Sequence, residues 1–257
     1  MENKRSFKGI LFAFGKSLLY FAIYFLAQVA AINLIALIVG ADYVYNLTVE
    51  LTIVSGCISI LLFALIFKIR KTTLTEMAYI NKMPPRFFLS MIVLGISTAY
   101  AIAVILGLVE MSGIIPESWL QAQDSAYEDV NNSSSLMQFL SVGFMAPLLE
   151  EVLFRGLILG SLKKEMHPWL AIVISAVFFG VAHGTPIGII YATVLGIFMG
   201  WIFVKFNSVL PGFLFHMAYN CTLSFSEGLT VVGIIFCVPI LILEIIDINK
   251  YFRGKQL

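Results

Sequence analysis

The chain is short of charge: Asp, Glu, Lys and Arg make up only 12% of its 257 residues, about half the share of an ordinary soluble domain. Neither sign is in surplus, with 16 Lys+Arg against 15 Asp+Glu. No basic face exists for a phosphate backbone, and nucleic acid is excluded as a partner. Cysteine is scarce too. Cys57, Cys221 and Cys237 fall in apolar stretches without a C-x-x-C, which argues against a disulfide framework or a thiolate metal site and makes them small buried hydrophobes. Strict apolar/polar alternation in short segments is missing, so a membrane β-barrel is excluded. No A-x-A cleavage pattern follows the first apolar run, which therefore reads as a retained helix. What is abundant is apolar surface, at 60% of the residues. A soluble globule and a disordered chain are excluded, and an all-α polytopic membrane protein remains.

Crossing the hydrocarbon core takes about 20 mostly apolar residues. Segments near 17–40, 46–67, 87–109, 137–162, 168–183, 185–204, 208–226 and 229–247 meet that requirement, so about eight transmembrane helices are expected. With the N-terminus inside, Lys4, Arg5, Lys8, Lys68, Arg70, Lys71, Lys82, Arg86, Lys163, Lys164, Lys205, Lys250, Arg253 and Lys255 all face the cytoplasm. The acids Asp42, Glu117, Asp124, Glu128, Asp129 and Glu227 fall on the other side. Both termini are expected in the cytoplasm, in a bacterial plasma membrane. Residues 68–86 read as a basic cytoplasmic loop and residues 110–136 as a polar external one. No repeat or second domain is evident, so residues 1–257 form a single transmembrane domain.

A charge at the centre of a spanning helix costs about 2.5–3.5 kcal/mol on insertion scales. The fourth segment nonetheless carries Glu150, Glu151 and Arg155 within six residues. On an α-helix Glu151 and Arg155 are i and i+4 and can pair, while Glu150 is rotated about 100° from Glu151 and is left to face a cavity. Phe179 and His183 share a face of the fifth segment, and His216 and Asn220 share a face of the seventh. One Glu, two His and one Asn on three helices are a set able to activate water and stabilise an oxyanion. His167, in a turn with Lys163 and Lys164, reads as a solvated loop residue. The pairs Gly156/Gly160 and Gly196/Gly200 are spaced to let helices approach closely.

In this order, Glu150-Glu151-x-x-x-Arg155, Phe179-x-x-x-His183 and His216-x-x-x-Asn220 resemble the E-E-x-x-x-R, F-x-x-x-H and H-x-x-x-N motifs of the CAAX protease and bacteriocin-processing (CPBP, Abi-type) family of intramembrane proteases. The flanks Ala146-Pro147-Leu148, Phe154-Arg155-Gly156 and Asn207-Ser208-Val209-Leu210-Pro211 are similar as well. The resemblance implies a catalytic core over residues 137–226 with its buried polar active site sunk in the membrane. It implies an endopeptidase acting on a membrane-associated peptide or protein in the lipid bilayer, with bacteriocin self-immunity among the roles of bacterial members. Carried over, Glu150 and His183 correspond to the water-activating pair and His216 and Asn220 to the oxyanion-stabilising pair, with Glu151, Arg155 and Phe179 as structural support.

No cofactor is expected, because a carboxylate base needs none. The alternative is zinc on Glu150, His183 and His216, a His2Glu set of the kind metal hydrolases use. Against it, the chain has no H-E-x-x-H. Two other classes stay open: a non-catalytic immunity or regulatory membrane protein, and a proton-coupled transporter with an intramembrane Glu/His relay.

Overall fold

Thirty-three residues without a helix breaker other than glycine form α1 (Phe7–Val39), and a second apolar run forms α2 (Thr48–Ile69). In the computed structural model, residues 6–44, 47–225 and 231–253 are described. Lys4, Arg5, Lys255 and Glu227, used above to orient the chain, lie outside them, as do residues 46, 226, 229 and 230 at segment ends. A one-turn α3 (Leu74–Met77), started by a Thr73/Glu76 capping box, precedes α4 (Phe87–Met111). After it comes α5 (Glu117–Asn132). The fourth apolar segment is one continuous rod of changing pitch: α6 (Ser135–Gln138), a π-wound stretch Phe139–Met145, α7 (Ala146–Glu150), a second π-wound stretch Glu151–Leu159, and α8 (Gly160–Leu162). The chain ends in α9 (Pro168–Val181), α10 (Pro186–Phe206), α11 (Val209–Phe225) and α12 (Val231–Phe252).

Helix thus occupies each of the eight apolar segments. Among the described residues, α1, α2, α4 and α10 are long and apolar enough by themselves to cross a membrane. The 14-residue α9 reaches only about 21 Å, short of the roughly 30 Å hydrocarbon core. The architecture is all-α and of membrane type.

The rod is the pillar of the bundle. Every residue from Glu151 to Leu159 is buried, and α1, α9, α10 and α11 all pack against this stretch. Aromatic rings close the packing: Phe154 lies 5.2 Å from Phe179 and 6.1 Å from Phe21 between ring centroids. The outward faces are apolar as well, because lipid and not water surrounds them. This corrects the reading of the cysteines as buried: Cys57 is exposed and Cys221 and Cys237 are half-buried. Their thiols need no core when the surroundings are hydrocarbon.

Both long connections differ from plain loops. The polar one is mostly the helix α5, whose Val130 is buried. The basic one docks into the bundle: Ala78 is fully buried, the Tyr79 hydroxyl donates to Gly160 O (3.1 Å), and Val209 N–H donates to Tyr79 O (3.1 Å). Gly196 and Gly200 do bring helices together, since a Cβ on either would press on Ala176 or Ile172 of α9. Gly156 and Gly160 do not. A Cβ on Gly156 would lie 2.7 Å from the Ala78 Cα, and one on Gly160 would enter the Tyr79 ring, so these two glycines receive the cytoplasm-assigned loop rather than a helix. His167 is exposed, and its Nδ1 caps α9 by accepting from Trp169 N–H (3.3 Å).

Gly156→Ala is expected to destabilise the protein by about 1–3 kcal/mol, because backbone opposes the new methyl. Gly107→Ala, in open space on α4, is expected to be neutral or slightly stabilising. Thermal unfolding in detergent measures both, and a Gly156→Ala protein as stable as the parent contradicts the docking of the loop.

Candidate active site

A proline inside a helix removes one backbone donor, and the rod has Pro147 in its middle. Ahead of it the winding is π, with Ala146 N–H bonding Ser141 O five residues back. The Val142 carbonyl would be the next acceptor in that register, and its donor would be the N–H that Pro147 lacks. Asn220 fills the gap, donating through Nδ2 to Val142 O at 2.9 Å. The same logic places His183. At the end of α9 the His183 N–H turns to Gly180 O (2.9 Å), which leaves Phe179 O without its α-helical donor. The His183 ring takes that carbonyl through Nδ1 at 2.9 Å. Each side chain is aimed by a backbone carbonyl that the local winding orphans.

The charged residues are aimed by one another. Arg155 Nη1 lies 3.0 Å from Glu151 Oε1, and both side chains are 1% exposed. Arg155 also donates to Gly196 O (3.4 Å) and lies over the Phe179 ring at 4.2 Å. Glu151 reaches further than its guanidinium partner: Oε1 is 3.3 Å from His216 Nδ1, and on its other edge His216 Nε2 is 3.6 Å from Glu150 Oε2. A chain of polar contacts therefore runs Arg155, Glu151, His216, Glu150. It enters α11 beside Gly212, where a Cβ would collide with the Glu151 carboxylate. Phe179 is the apolar hub, with ring centroids 4.7 Å from His183 and 5.8 Å from His216.

Glu150, His183, His216 and Asn220 all line one cavity of about 530 Å³, with Phe179 among its walls. Glu150 is 18% exposed, in contrast to Glu151. As neighbours on a helix the two carboxylates point apart, one to the cavity and one to the ion pair. Glu150 is paired with His216 and makes no hydrogen bond or ion pair with His183 among the described residues. His216 is accordingly closer to Glu150 than sequence order implies.

Proton positions follow from the acceptors. Phe179 O can only accept, so His183 carries its hydrogen on Nδ1 and, when neutral, turns a lone pair on Nε2 away from that carbonyl. The Glu151 carboxyl oxygen that faces Arg155 likewise takes the Nδ1 hydrogen of His216. Other hydrogen-bond donors also face the cavity. Asn220 keeps one N–H free of Val142. Tyr127 and Tyr191 supply another: their hydroxyls are 2.9 Å apart and both line the cavity. One of the pair donates to the other, which leaves one O–H unspent. Burial raises the Tyr127 hydroxyl above the ordinary phenol range; the Tyr191 hydrogen bond opposes the rise and the Glu150 charge adds to it.

Tyr127 and Gln123, which caps the cavity from α5 and bonds Thr185, were missed as candidates. Their signal was present: Trp119, Gln123, Tyr127 and Val130 recur at helical spacing within a polar stretch. As to metal, the three residues weighed as zinc ligands share the cavity but do not converge. Among the described residues no three His, Cys, Asp or Glu side chains form a metal-binding group.

The helical membrane bundle thus gathers a carboxylate, two imidazoles and an amide around an internal cavity. Residues 132–222 match the family described as type II CAAX prenyl endopeptidase Rce1-like, the same stretch that carries the motifs resembling the CAAX protease and bacteriocin-processing family. A protein of Bacillus subtilis (strain 168), named "Putative membrane peptidase YdiL", is 27% identical over 92 residues, 36% of this chain. The match spans 37% of that relative's length. No solved structure matches the chain significantly.

The Asn220 assignment makes a double-substitution prediction. Asn220→Leu is expected to cost about 1–3 kcal/mol by orphaning Val142 O. In a Pro147→Ala background a backbone N–H becomes available, and the cost of Asn220→Leu shrinks. Equal costs in the two backgrounds, measured by denaturation in detergent, contradict the assignment.

Proposed function

We propose that the chain is an intramembrane endopeptidase that hydrolyses a peptide bond in a membrane-associated peptide or protein by glutamate-activated water. The observation that carries this reading is the Glu150 carboxylate, 3.6 Å from His216 Nε2, in a cavity shared with His183 and Asn220. The family resemblance agrees with a peptidase. The catalytic core is residues 137–226 within a single transmembrane domain of eight spans, with both termini in the cytoplasm of a bacterial plasma membrane.

Glu150 takes a proton from water as the hydroxide attacks the scissile carbonyl. The water is oriented by the lone pair of His183 Nε2. His216 Nε2 accepts the proton gathered on Glu150, and the imidazolium so formed is stabilised by Glu151 on its far side, as a buried carboxylate steadies a catalytic imidazole elsewhere. The tetrahedral oxygen takes hydrogen bonds from the free Asn220 N–H and from the spare Tyr127/Tyr191 hydroxyl. The proton is then returned to the leaving nitrogen.

Glu150→Gln preserves shape and removes the base. A loss of roughly a hundredfold or more is expected, with unfolding temperature unchanged, when purified protein in liposomes is given a prenylated C-a-a-X reporter peptide. Cells carrying the wild type or Glu150→Gln are compared by terminal proteomics for other substrates. Retained turnover, or identical termini in both cells alongside an inert wild type, overturns the proposal in favour of a non-catalytic membrane protein.

No step above runs through a metal. Turnover is expected to survive exhaustive chelation, with metal analysis of the active preparation showing less than one ion per chain. Loss on chelation that zinc alone restores contradicts the metal-free mechanism.

A further inference from the structure

Helix α1 is longer than a membrane requires. Its 33 residues reach about 50 Å at 1.5 Å per residue, against a hydrocarbon core of roughly 30 Å. The apolar run from residue 17 onward fills the core, which leaves residues 7–16 to project about 15 Å through the headgroup region. Residues at that depth are ordinarily polar. Here Phe7, Leu11 and Phe12 are 79%, 61% and 65% exposed.

Lys8, Leu11, Phe12, Gly15, Lys16 and Leu19 follow one another at i, i+3, i+4, i+7, i+8 and i+11 and so form a single stripe. The opposite face of the helix is the packed one, with Ala13, Ser17 and Tyr20 buried. Arg70, from the end of α2, joins the stripe to line a groove of about 460 Å³. The groove is apolar along its floor and bears three cations. Among the described residues none of the three has a carboxylate within ion-pair distance, and Lys16 instead lies 4.3 Å over the Phe12 ring. Glu165, the nearby acid, sits on the other side of α1 against Gly9. Gly15 leaves the middle of the groove open, with nothing within 4 Å of where its Cβ would be.

We infer that this groove is a binding site for an anionic phospholipid. The phosphate is held by Lys8, Lys16 and Arg70, and an acyl chain lies on Leu11, Phe12 and Leu19. A basic pocket between membrane helices at headgroup depth is the arrangement that selects acidic headgroups over zwitterionic ones. The exposed rings of α1 then lie against acyl chain rather than water. The site is on the far side of α1 from the cavity residues Tyr24 and Gln28, and it does not depend on the peptidase reading.

The test uses the full-length protein in mixed nanodiscs of phosphatidylglycerol and phosphatidylcholine, with the lipids retained on extraction counted by native mass spectrometry. Phosphatidylglycerol is expected to be retained in preference to phosphatidylcholine. The combined Lys8→Gln, Lys16→Gln and Arg70→Gln variant is expected to lower that preference about tenfold or more. Lys8→Gln and Arg70→Gln alone, at exposed positions that spare the fold, lower it by a few fold each. Lys163→Gln with Lys164→Gln, another basic pair, leaves it unchanged. Equal retention of the two lipids, or undiminished preference in the combined variant, overturns the inference.

Discussion

The ion pair between Glu151 and Arg155 is the constraint on which the rest of the structure depends. Two opposite charges sit in the most deeply buried part of the bundle, each 1% exposed. Removing one partner from such a pair typically costs about 3–5 kcal/mol, since the other is left charged in an apolar setting. Everything that touches the pair is thereby fixed. Arg155 ties the rod to α10 at Gly196 O and to α9 through the face of Phe179. Glu151 ties it to α11 through His216. The rod, α9, α10 and α11 are thus pinned around one buried guanidinium.

The same economy appears in the uncharged groups. In a medium without water every backbone carbonyl needs a donor. Beside the cavity, Pro147 orphans one carbonyl and the turn after α9 another, and Asn220 and His183 satisfy them. Their orientation is therefore a by-product of backbone accounting. It also decides chemistry, because the nitrogen spent on a carbonyl sets which atom remains for the cavity.

Much of this was legible in the sequence. The apolar segments give helices in their expected places because an insertion requirement of about 20 residues leaves little freedom. Glu150, Glu151, Arg155, His183, His216 and Asn220 stand out because polar groups are few in an apolar chain, and scarcity marks them without any alignment. The pairing of residues four apart was also readable, since it needs only a helix. What was not readable is the π-winding around Glu151. The winding is set by how the rod packs among α1, α9, α10 and α11. The link from Glu151 to His216 joins residues 65 apart, and no local pattern encodes it. The α5 helix was hidden by its polar composition, and Gly156 looked like a helix-packing glycine because spacing cannot tell a helix from a docked loop.

The central claim is that a lone carboxylate and two imidazoles meet in an interior that admits water. An experimental map of the chain in a lipid nanodisc, at a resolution that shows ordered solvent, tests it most directly. The account predicts a water molecule within hydrogen-bond distance of both Glu150 and His183 Nε2, with Asn220 still bonded to Val142 O. A dry cavity, or Glu150 turned out toward lipid, contradicts it.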